Sequence, residues 1–399
     1  MNDLQHKNRQ FDIIIVGAGI AGLSSIKSIR EINNEVSICL INGEDREPYK
    51  RTKLSKHIYC GFEKNQFSLI DQDWLSANNV KMVRHTVSKI DTENKLVILN
   101  DLTEFSYRTC IAAIGVESCQ FDSGKNIADE IFYLRNAFQA EKLHESLKTK
   151  DKPIVIGGGV LSVELAAQIR MMGKEITLIS RSEHLMHNEL TENASRHLSD
   201  LLKKNDVNIL TGCTVESINK ENSLYNIQTN KCQIESDCLI ISIGSQPNKT
   251  VLINNTTLDK IKIDEKLQTE YHGLFAAGDC TSFSGKYATH LWHASESEGL
   301  HAGKNAVKFL TGKTLESYNY KPYRLKCEIF DTFYFSMNYN KNNTALVNEE
   351  IQTDNYKFFQ YKNENLNGIV LIGDKERAKE YENALWKGWS REKVKQNFY

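Results

Sequence analysis

Two segments of the chain repeat one pattern: a short apolar run, a glycine cluster, a helix-like run and a second apolar run. The first, "IIIVGAGIAGLSSIKSIREINNEVSICLINGE", spans Ile13 to Glu44, and the second, "IVIGGGVLSVELAAQIRMMGKEITLISRSE", spans Ile154 to Glu183. In such a unit the glycines let the backbone approach a pyrophosphate, and the helix N-terminus offers free N–H groups to it. The repeat therefore predicts two dinucleotide sites in one α/β chain.

The first unit carries a complete GxGxxG fingerprint after the strand predicted at Asp12 to Val16. Five positions of its turn are predicted to contact the cofactor: Gly17, Gly19, Ile20, Ala21 and Gly22. Glu44 follows 22 residues after the last glycine, at the distance where a carboxylate binds a pair of ribose hydroxyls.

The second unit has a serine in place of the third glycine, and serine is small enough for close packing. Its predicted contacts are Gly157, Gly159, Val160, Leu161, Ser162 and Glu164. Its second strand, Glu175 to Ile179, is followed by Ser180 and Arg181. An acid at this position would bind the 2′-hydroxyl of NAD, whereas a hydroxyl and a guanidinium suit the 2′-phosphate of NADP. We therefore expect NADPH here, with NADH possible; the alternative is that Arg181 is only a solvated surface residue.

Composition limits the other classes of function. At 399 residues the chain is long enough for two or three domains, and a net charge of -1 gives no reason to expect nucleic acid or an anionic membrane as a partner. No run approaches the roughly 20 apolar residues of a membrane span, so a cytoplasmic protein is expected. The nine cysteines form no CxxC pair and are interpreted as reduced and mostly buried. No metal site is predicted, since His184 and His187 lack a third ligand and are interpreted as surface residues.

Five further motifs sharpen this picture: "EPYKRTKLSK" (47–56), "CIAAIGVES" (110–118), "ISIGSQPN" (241–248), "LFAAGDC" (274–280) and "WHASESEGLHAGKNAV" (292–307). In this order they resemble the rubredoxin and ferredoxin reductases of the FAD-dependent pyridine nucleotide-disulfide oxidoreductase superfamily. Residues 323–338 and 366–374 resemble the C-terminal domain of the same branch and of the flavin module of nitrite reductases. The second motif departs from the family pattern, because Ile114 replaces its threonine and its proline is missing.

The resemblance implies an α/β fold with two Rossmann-like domains of glutathione-reductase type and a small α+β domain. Residues 1–112 and 243–318 would form a discontinuous FAD-binding domain, 113–242 an NAD(P)H-binding domain, and 319–385 the α+β domain. Residues 386–399 remain as a basic, aromatic tail. This tail would either dock an acidic iron protein or another subunit, or fray as a solvated terminus.

The resemblance also assigns further cofactor positions. These are Arg51, Val87, Ala113, Gly115, Gly278, Asp279 and Trp292 for FAD, and Gly244 for the nucleotide of the second unit. Arg51 would bind the pyrophosphate or a flavin carbonyl, and the backbone of Val87 the adenine. Asp279 would bind a ribityl or sugar hydroxyl, or merely cap a turn. Trp292 would cover the flavin edge or belong to the core, and a helix beginning near Leu291 would direct its positive end at the flavin.

Lys56 occupies the stretch where relatives with a redox disulfide or a single catalytic cysteine carry their thiol. A lysine there implies electron transfer through the flavin alone. The resemblance pairs Lys56 with Glu164 near flavin N5, where the pair would orient the nicotinamide; the alternative is a structural ion pair. Cys60 follows one helical turn later and keeps a thiol mechanism open, although we expect it to be buried and inert.

The resulting prediction is an FAD-dependent NAD(P)H oxidoreductase that accepts hydride from NADPH at flavin N5 and passes electrons to a small acidic iron protein such as rubredoxin. One alternative is an oxidase or a small-molecule or disulfide reductase that uses oxygen, peroxide or a thiol. A second is a slow redox-sensing flavoprotein of the apoptosis-inducing-factor type. The protein is expected to be a monomer or a homodimer.

Overall fold

A computed structural model describes residues 9–63, 65–121, 131–221, 223–283, 286–287, 289–343, 346–352 and 355–399. The chain divides into two compact units. Unit 1 comprises Met1–Arg51, Glu63–Glu117 and Ser245–Tyr320, and unit 2 comprises Thr52–Phe62, Ser118–Gly244 and Lys321–Tyr399. Residues 1–8, which open the predicted FAD-binding domain, lie outside the described part of the chain.

The first strands of the chain are β1 (Gln10–Val16), β2 (Ile38–Asn42), β3 (Val80–Arg84), β4 (Val87–Asp91), β5 (Leu96–Leu99), β6 (Glu104–Ala112), β7 (Val116–Ser118), β8 (Pro153–Ile156), β9 (Thr177–Ile179), β10 (Asn208–Leu210), β11 (Val215–Glu221), β12 (Leu224–Thr229), β13 (Gln233–Ser236) and β14 (Cys238–Ile241). They are followed by β15 (Ser245–Pro247), β16 (Leu252–Ile253), β17 (Ile261–Ile263), β18 (Leu274–Ala276), β19 (Thr281–Phe283), β20 (Lys286–Tyr287), β21 (Arg324–Ile329), β22 (Thr332–Met337), β23 (Val347–Gln352), β24 (Tyr356–Lys362) and β25 (Asn365–Ile372). The helices are α1 (Ile20–Ile32), α2 (Gln72–Ala77), α3 (Ala137–Leu147), α4 (Val160–Met171), α5 (Glu192–Lys204), α6 (Trp292–Leu310), α7 (Ala378–Trp386) and α8 (Arg391–Phe398).

Unit 1 is built on a mixed sheet in the order β16-β4-β5-β6-β1-β2-β3, with β18 also paired to β6. The central strand β1 runs parallel to β2 and β6, and Ile13, Ile14 and Ile15 are fully buried in it. Helix α6 crosses α1 closely at Gly299, where a Cβ atom would lie 2.1 Å from the carbonyl oxygen of Ala21. The sheet and the two helices therefore position the first glycine turn.

Three sheets lie in unit 2 within the residues described. The sheet order β10-β9-β8-β14 is parallel throughout, as expected for a dinucleotide-binding unit, and β11-β12-β13 is antiparallel. The third sheet is antiparallel in the order β21-β22-β25-β24-β23 and forms the C-terminal part of the unit. The short segment Thr52–Phe62, which carries Lys56, groups with this unit.

The last residues of the chain belong to the C-terminal core. Helix α8 buries Val394 and Phe398, and the rings of Trp389 and Phe398 stack with centroids 5.4 Å apart. The frayed terminus considered as an alternative is therefore wrong, because the apolar side of α8 packs against the same cluster as Phe359 and Tyr381. Within the described residues, no helix has both the length and the apolar character needed to cross a membrane.

Candidate functional site

The first glycine turn leaves room where a pyrophosphate would approach. Gly17 has φ +108°, and a Cβ atom there would lie 2.3 Å from the carbonyl oxygen of Ala113. At Gly22 it would lie 2.0 Å from the carbonyl oxygen of Gly17, whereas at Gly19 no described atom lies within 4 Å. Gly17 and Gly22 therefore permit close packing, while Gly19 faces open space. Helix α1 begins here without a side-chain cap among the described residues, so its N-terminal N–H groups suit an anion.

The second glycine turn has the same design. Gly157 has φ +143°, and a Cβ atom added there would lie 2.1 Å from the carbonyl oxygen of Ser242. A Cβ atom added at Gly159 would have no described atom within 4 Å. Ser162 is fully buried and donates a hydrogen bond of 3.1 Å to the Ser242 carbonyl. A serine in the third glycine position is thus compatible with close packing, as the sequence indicated. Val160 and Leu161 form the first turn of α4 and are half-buried.

The carboxylate predicted to bind a ribose is held by two neighbours. Glu44 accepts a hydrogen bond of 2.8 Å from the Tyr49 hydroxyl and forms an ion pair with Arg51. The sequence assigned Glu44 and Arg51 to different parts of FAD, and the structure brings them together. A bound cofactor would meet a pre-arranged acid–base pair here rather than two independent charges.

The strand end of the second unit differs in part from the prediction. Ser180 is buried, donates its hydroxyl to the Ser182 carbonyl at 3.1 Å and packs against Gly158. Its hydroxyl is thus engaged within the turn, so the expected donation to a 2′-phosphate is not the arrangement found. Arg181 remains exposed. A phosphate-selecting role at this strand end therefore depends on Arg181 and the basic side chains near it.

Further basic side chains lie near Arg181. Burial lowers the pKa of His187, and the positive charges of Lys341, Arg181 and His184 lower it further. Lys341, Arg181 and His184 therefore lie near His187 within unit 2, and the lowered pKa of His187 favours its neutral form. The sequence interpreted the two histidines only as surface residues; Lys341 lies more than 150 positions away in the chain and had no local signal.

The structure joins the two residues predicted to act in catalysis. Lys56 Nζ lies 2.5 Å from Glu164 Oε1, and Ser55 donates its hydroxyl to Glu164 Oε2 at 2.5 Å. The Glu164 side chain is only 9% exposed and that of Lys56 is 35% exposed. Both oxygens of one nearly buried carboxylate are therefore bound, which fixes the ammonium group beside Glu164. Ser55, which the sequence analysis did not single out, directly precedes Lys56.

All nine cysteines are free thiols. Six are buried, and burial raises the pKa of Cys39, Cys238, Cys280 and Cys327 to about 12. Besides burial, the negative charge of Glu164 raises the pKa of Cys327 and the positive charge of Lys56 lowers it. The Cys327 thiol stays protonated at neutral pH. Cys60 was expected to be buried, and this prediction is wrong: the residue follows the 3₁₀ turn Ser55–His57 and is exposed.

The predicted Gly-Asp turn follows β18 in unit 1. Gly278 has φ +84°, and Asp279 accepts a hydrogen bond of 3.1 Å from Ser295 on α6. Glu298 was not singled out from the sequence; it is buried on α6 and accepts a hydrogen bond of 2.7 Å from the Gly278 N–H. The helical spacing from Ala294 and Ser295 places Glu298 on the buried side of α6, and this spacing was the available signal.

The remaining predicted positions lie at the ends of strands and helices. Trp292 begins α6, as predicted, and the Lys50 ammonium lies 5.8 Å from the centre of its ring. Val87 is buried at the start of β4. The two crossover glycines, Gly115 and Gly244, have φ values of +65° and +116°, a conformation that glycine adopts without strain. The described residues include no group of three or more acidic, histidine or cysteine side chains able to hold a metal.

Two glycine turns, each followed by an uncapped helix and each preceded by a buried parallel strand, define a class of oxidoreductase that binds two dinucleotides. A model of the pyridine nucleotide-disulphide oxidoreductase family matches residues 11–299, and the chain belongs to that family. It is accordingly an FAD-dependent NAD(P)H oxidoreductase. The two glycine turns leave space for the two cofactors. A Cβ atom added at Gly19 or at Gly159 would have no atom of the described residues within 4 Å.

Known proteins resemble the chain along most of its length. It is 29% identical over 297 residues to the NADH-rubredoxin oxidoreductase of Clostridium acetobutylicum, covering 74% of each chain. Among solved structures, a ferredoxin reductase from Rhodopseudomonas palustris has a TM-score of 0.85 at 21% identity, covering 96% of each chain. An engineered water-forming NADPH oxidase, a mutant of the Lactobacillus brevis NADH oxidase, has a TM-score of 0.83 at 19% identity, covering 96% of this chain and 92% of its own.

Proposed function

We propose that the protein uses NADPH to reduce its FAD and passes the electrons to a small acidic iron protein of the rubredoxin type. The observation that carries this proposal is the Lys56–Glu164 pair, in the stretch where the sequence pattern of disulfide-reducing relatives places a reactive thiol. The buried thiol beside the pair, Cys327, is held protonated by burial. A route through the flavin alone follows from this arrangement.

The roles of the protein's own groups follow from their contacts. When bound, FAD would supply the redox chemistry, because a flavin can accept two electrons together and release them one at a time. Glu164 holds the Lys56 ammonium through one oxygen and the Ser55 hydroxyl through the other. This fixed pair places a positive charge on a semi-buried surface, where we propose that it orients the nicotinamide and favours negative charge on the reduced cofactor.

The proposed preference for NADPH rests on the exposed Arg181 and on Lys341, which both act on His187. A guanidinium and an ammonium group suit a negatively charged 2′-phosphate better than a neutral hydroxyl. The engineered NADPH oxidase gives independent support, because its mutations from the NADH oxidase remove one aspartate and introduce two arginines and one serine. We assign the first glycine turn and Asp279 to FAD and the second glycine turn to NADPH.

The proposed partner follows from the relatives and from charge. The Clostridium relative is named for rubredoxin, and the C-terminal segment here exposes Lys379, Lys387 and Lys393. Exposed lysines speed the association of an acidic partner, and salt weakens this attraction. We further propose that the reaction takes place in the cytoplasm, where thiols such as these stay reduced.

The test is NADPH oxidation in air with and without added rubredoxin, at low and high salt. We expect rubredoxin to accelerate the reaction many-fold at low salt and less at 0.5 M salt. An equally fast rate without rubredoxin would instead identify an oxidase or small-molecule reductase. A negligible rate under every condition would contradict the carrier reductase and favour the redox-sensing alternative.

A second candidate is a thiol-dependent reductase, favoured by the exposure of Cys60 one turn beyond Lys56. It predicts that Cys60→Ser abolishes turnover. The matched control is Cys232→Ser, since Cys232 is also exposed but lies at the turn between β12 and β13. Full activity in both variants would remove this candidate.

A further inference from the structure

A buried carboxylic acid supports the turn that we assign to flavin. Glu298 on α6 accepts a hydrogen bond of 2.7 Å from the Gly278 N–H through Oε2. The Gly278 carbonyl in turn accepts hydrogen bonds from the Thr281 N–H at 3.0 Å and from its hydroxyl at 2.9 Å. Both polar backbone groups of Gly278 are therefore bound, and Glu298 is the side chain that binds its N–H.

Asp279, the next residue, is held from different elements. Ser295 on α6 donates to its Oδ1 at 3.1 Å, the His290 Nδ1 lies 3.8 Å from its Oδ2, and the Lys260 ammonium donates to its carbonyl oxygen at 2.5 Å. These contacts bring the Lys260 ammonium and the His290 ring to Asp279, whereas the contacts described for Glu298 are with the Gly278 N–H and the Thr281 hydroxyl. The two acids thus have different electrostatic environments.

The surroundings of Glu298 favour its neutral form. Burial raises its pKa to about 7, the negative charge of Asp279 raises it as well, and the hydrogen bonds from Gly278 and Thr281 oppose the shift. Burial also raises the pKa of the nearby Cys280 and Tyr320, so both stay neutral. Helix α1, packed against α6, faces it here with Ala21 and Ser25. Among the described residues, Asp279 is the charged group that acts on Glu298, and Asp279 itself contacts Lys260 and the His290 ring.

We propose that Glu298 is the positioning residue of the flavin turn, and that FAD binding is coupled to proton uptake at Glu298. This inference rests on the proposed assignment of FAD to Asp279. FAD brings the two negative charges of its diphosphate into unit 1, and added negative charge disfavours an ionised carboxylate close by. If a ligand binds the protonated form of a protein more tightly, the protein takes up a proton when the ligand binds. The affinity for that ligand then falls as pH rises.

The test measures the Kd of FAD for the apoprotein between pH 6 and 9 by quenching of flavin fluorescence. In the wild type we expect Kd to rise by up to about tenfold per pH unit above pH 7. Glu298→Gln keeps an oxygen that accepts from the Gly278 N–H but cannot ionise. The part of the rise in Kd with pH that is due to Glu298 should therefore disappear in this variant. Glu296→Gln is the matched control, because Glu296 lies on the same helix, has a side chain 37% exposed and contacts His293; it should keep the wild-type slope.

Titration calorimetry of the wild type and of Glu298→Gln, in two buffers of different ionisation enthalpy, counts the protons directly. Uptake of a measurable fraction of a proton at pH 7.5, lost in Glu298→Gln, would support the inference. Zero uptake in the wild type, or an unchanged slope in Glu298→Gln, would overturn it while leaving FAD binding intact. If the wild-type apoprotein did not bind FAD at all, the proposed function itself would fail.

Discussion

Lys56 and Glu164 are 108 residues apart in the chain, yet Lys56 Nζ lies 2.5 Å from Glu164 Oε1. Glu164 lies on α4, directly after the second glycine turn, and Lys56 lies in the 3₁₀ turn Ser55–His57. The pair therefore joins the proposed nicotinamide unit to the segment that carries a thiol in disulfide-reducing relatives. Its position makes it the first target for mutation.

Glu164→Gln should slow reduction of the flavin by NADPH at least tenfold, which corresponds to about 1.4 kcal/mol in the barrier. The substitution leaves the Lys56 ammonium without its carboxylate, so its position is no longer fixed. Stopped-flow absorbance of the flavin measures this step. The control pair is Lys148–Glu145, whose side chains are 53% and 66% exposed, so Glu145→Gln should leave the rate unchanged. An unaltered rate in Glu164→Gln would reduce the pair to a structural contact.

Arg181→Ala should raise the KM for NADPH about tenfold or more and leave the KM for NADH nearly unchanged. The reason is that a charged hydrogen bond to a phosphate contributes about 1.5–3 kcal/mol, and NADH lacks the 2′-phosphate. Steady-state kinetics with both nucleotides measure the split. Lys174→Ala is the control, since Lys174 pairs with Asp151. Equal changes in both KM values would contradict a phosphate-selecting role.

Two alanine substitutions in one turn should have different consequences. Gly157→Ala should lower the free energy of unfolding by about 2 kcal/mol or more, because φ is +143° and the methyl group would collide with the Ser242 carbonyl. Gly159→Ala should leave thermal stability nearly unchanged but weaken nucleotide binding, because its methyl group would occupy the open space above the helix N-terminus. Thermal melting and NADPH titration separate the two effects. A stable Gly157→Ala protein would contradict the packing argument.

Phe398→Ala should destabilise the C-terminal core by about 3–5 kcal/mol, the usual cost of truncating a buried phenylalanine. Phe398 is 1% exposed and lies against Tyr381, with ring centroids 4.2 Å apart. Lys393→Ala on the same helix should have little effect on stability, since Lys393 is exposed. Thermal denaturation measures both. A neutral result for Phe398→Ala would restore the interpretation of a frayed, solvated terminus.

The stability of the apoprotein should depend on pH through Glu298. Its pKa in the folded protein is about 7, above the ordinary value of 4.5, so the folded state binds a proton more readily than the unfolded chain. The free energy of unfolding therefore falls as pH rises from about 4.5 to about 7. Glu298→Gln should lose less stability than the wild type between pH 5 and pH 8. Identical losses in melting temperature would show that Glu298 does not titrate there.

The local elements of the dinucleotide units could be predicted from the sequence because their signals are local. The helix-like run predicted after the first glycine cluster is α1, Ile20–Ile32, and Leu291, near which a helix was predicted to begin, is the N-cap of α6. Glycines are required where φ is positive or where a Cβ atom would strike a carbonyl oxygen, and such requirements are visible in a few consecutive residues. Buried parallel strands are likewise visible as short apolar runs.

The remaining features depend on contacts between distant residues, which a local pattern does not specify. Burial of Ser180 turned its hydroxyl toward the Ser182 carbonyl, although its position beside Arg181 indicated a phosphate donor. Phe398 is buried only because α8 folds back onto the C-terminal sheet, while its neighbours are polar or charged. Cys60 is exposed although we expected it to be buried.

The sequence by itself therefore determined the fold class, the two glycine turns and the identity of the residues near them. Only the tertiary structure decided how those residues are used: Glu44 pairs with Arg51, Glu164 binds both Ser55 and Lys56, and Glu298 supports Gly278. The physical reason is that backbone conformation is set by neighbouring residues, whereas hydrogen bonding and ionisation depend on burial and on charges brought together from distant parts of the chain.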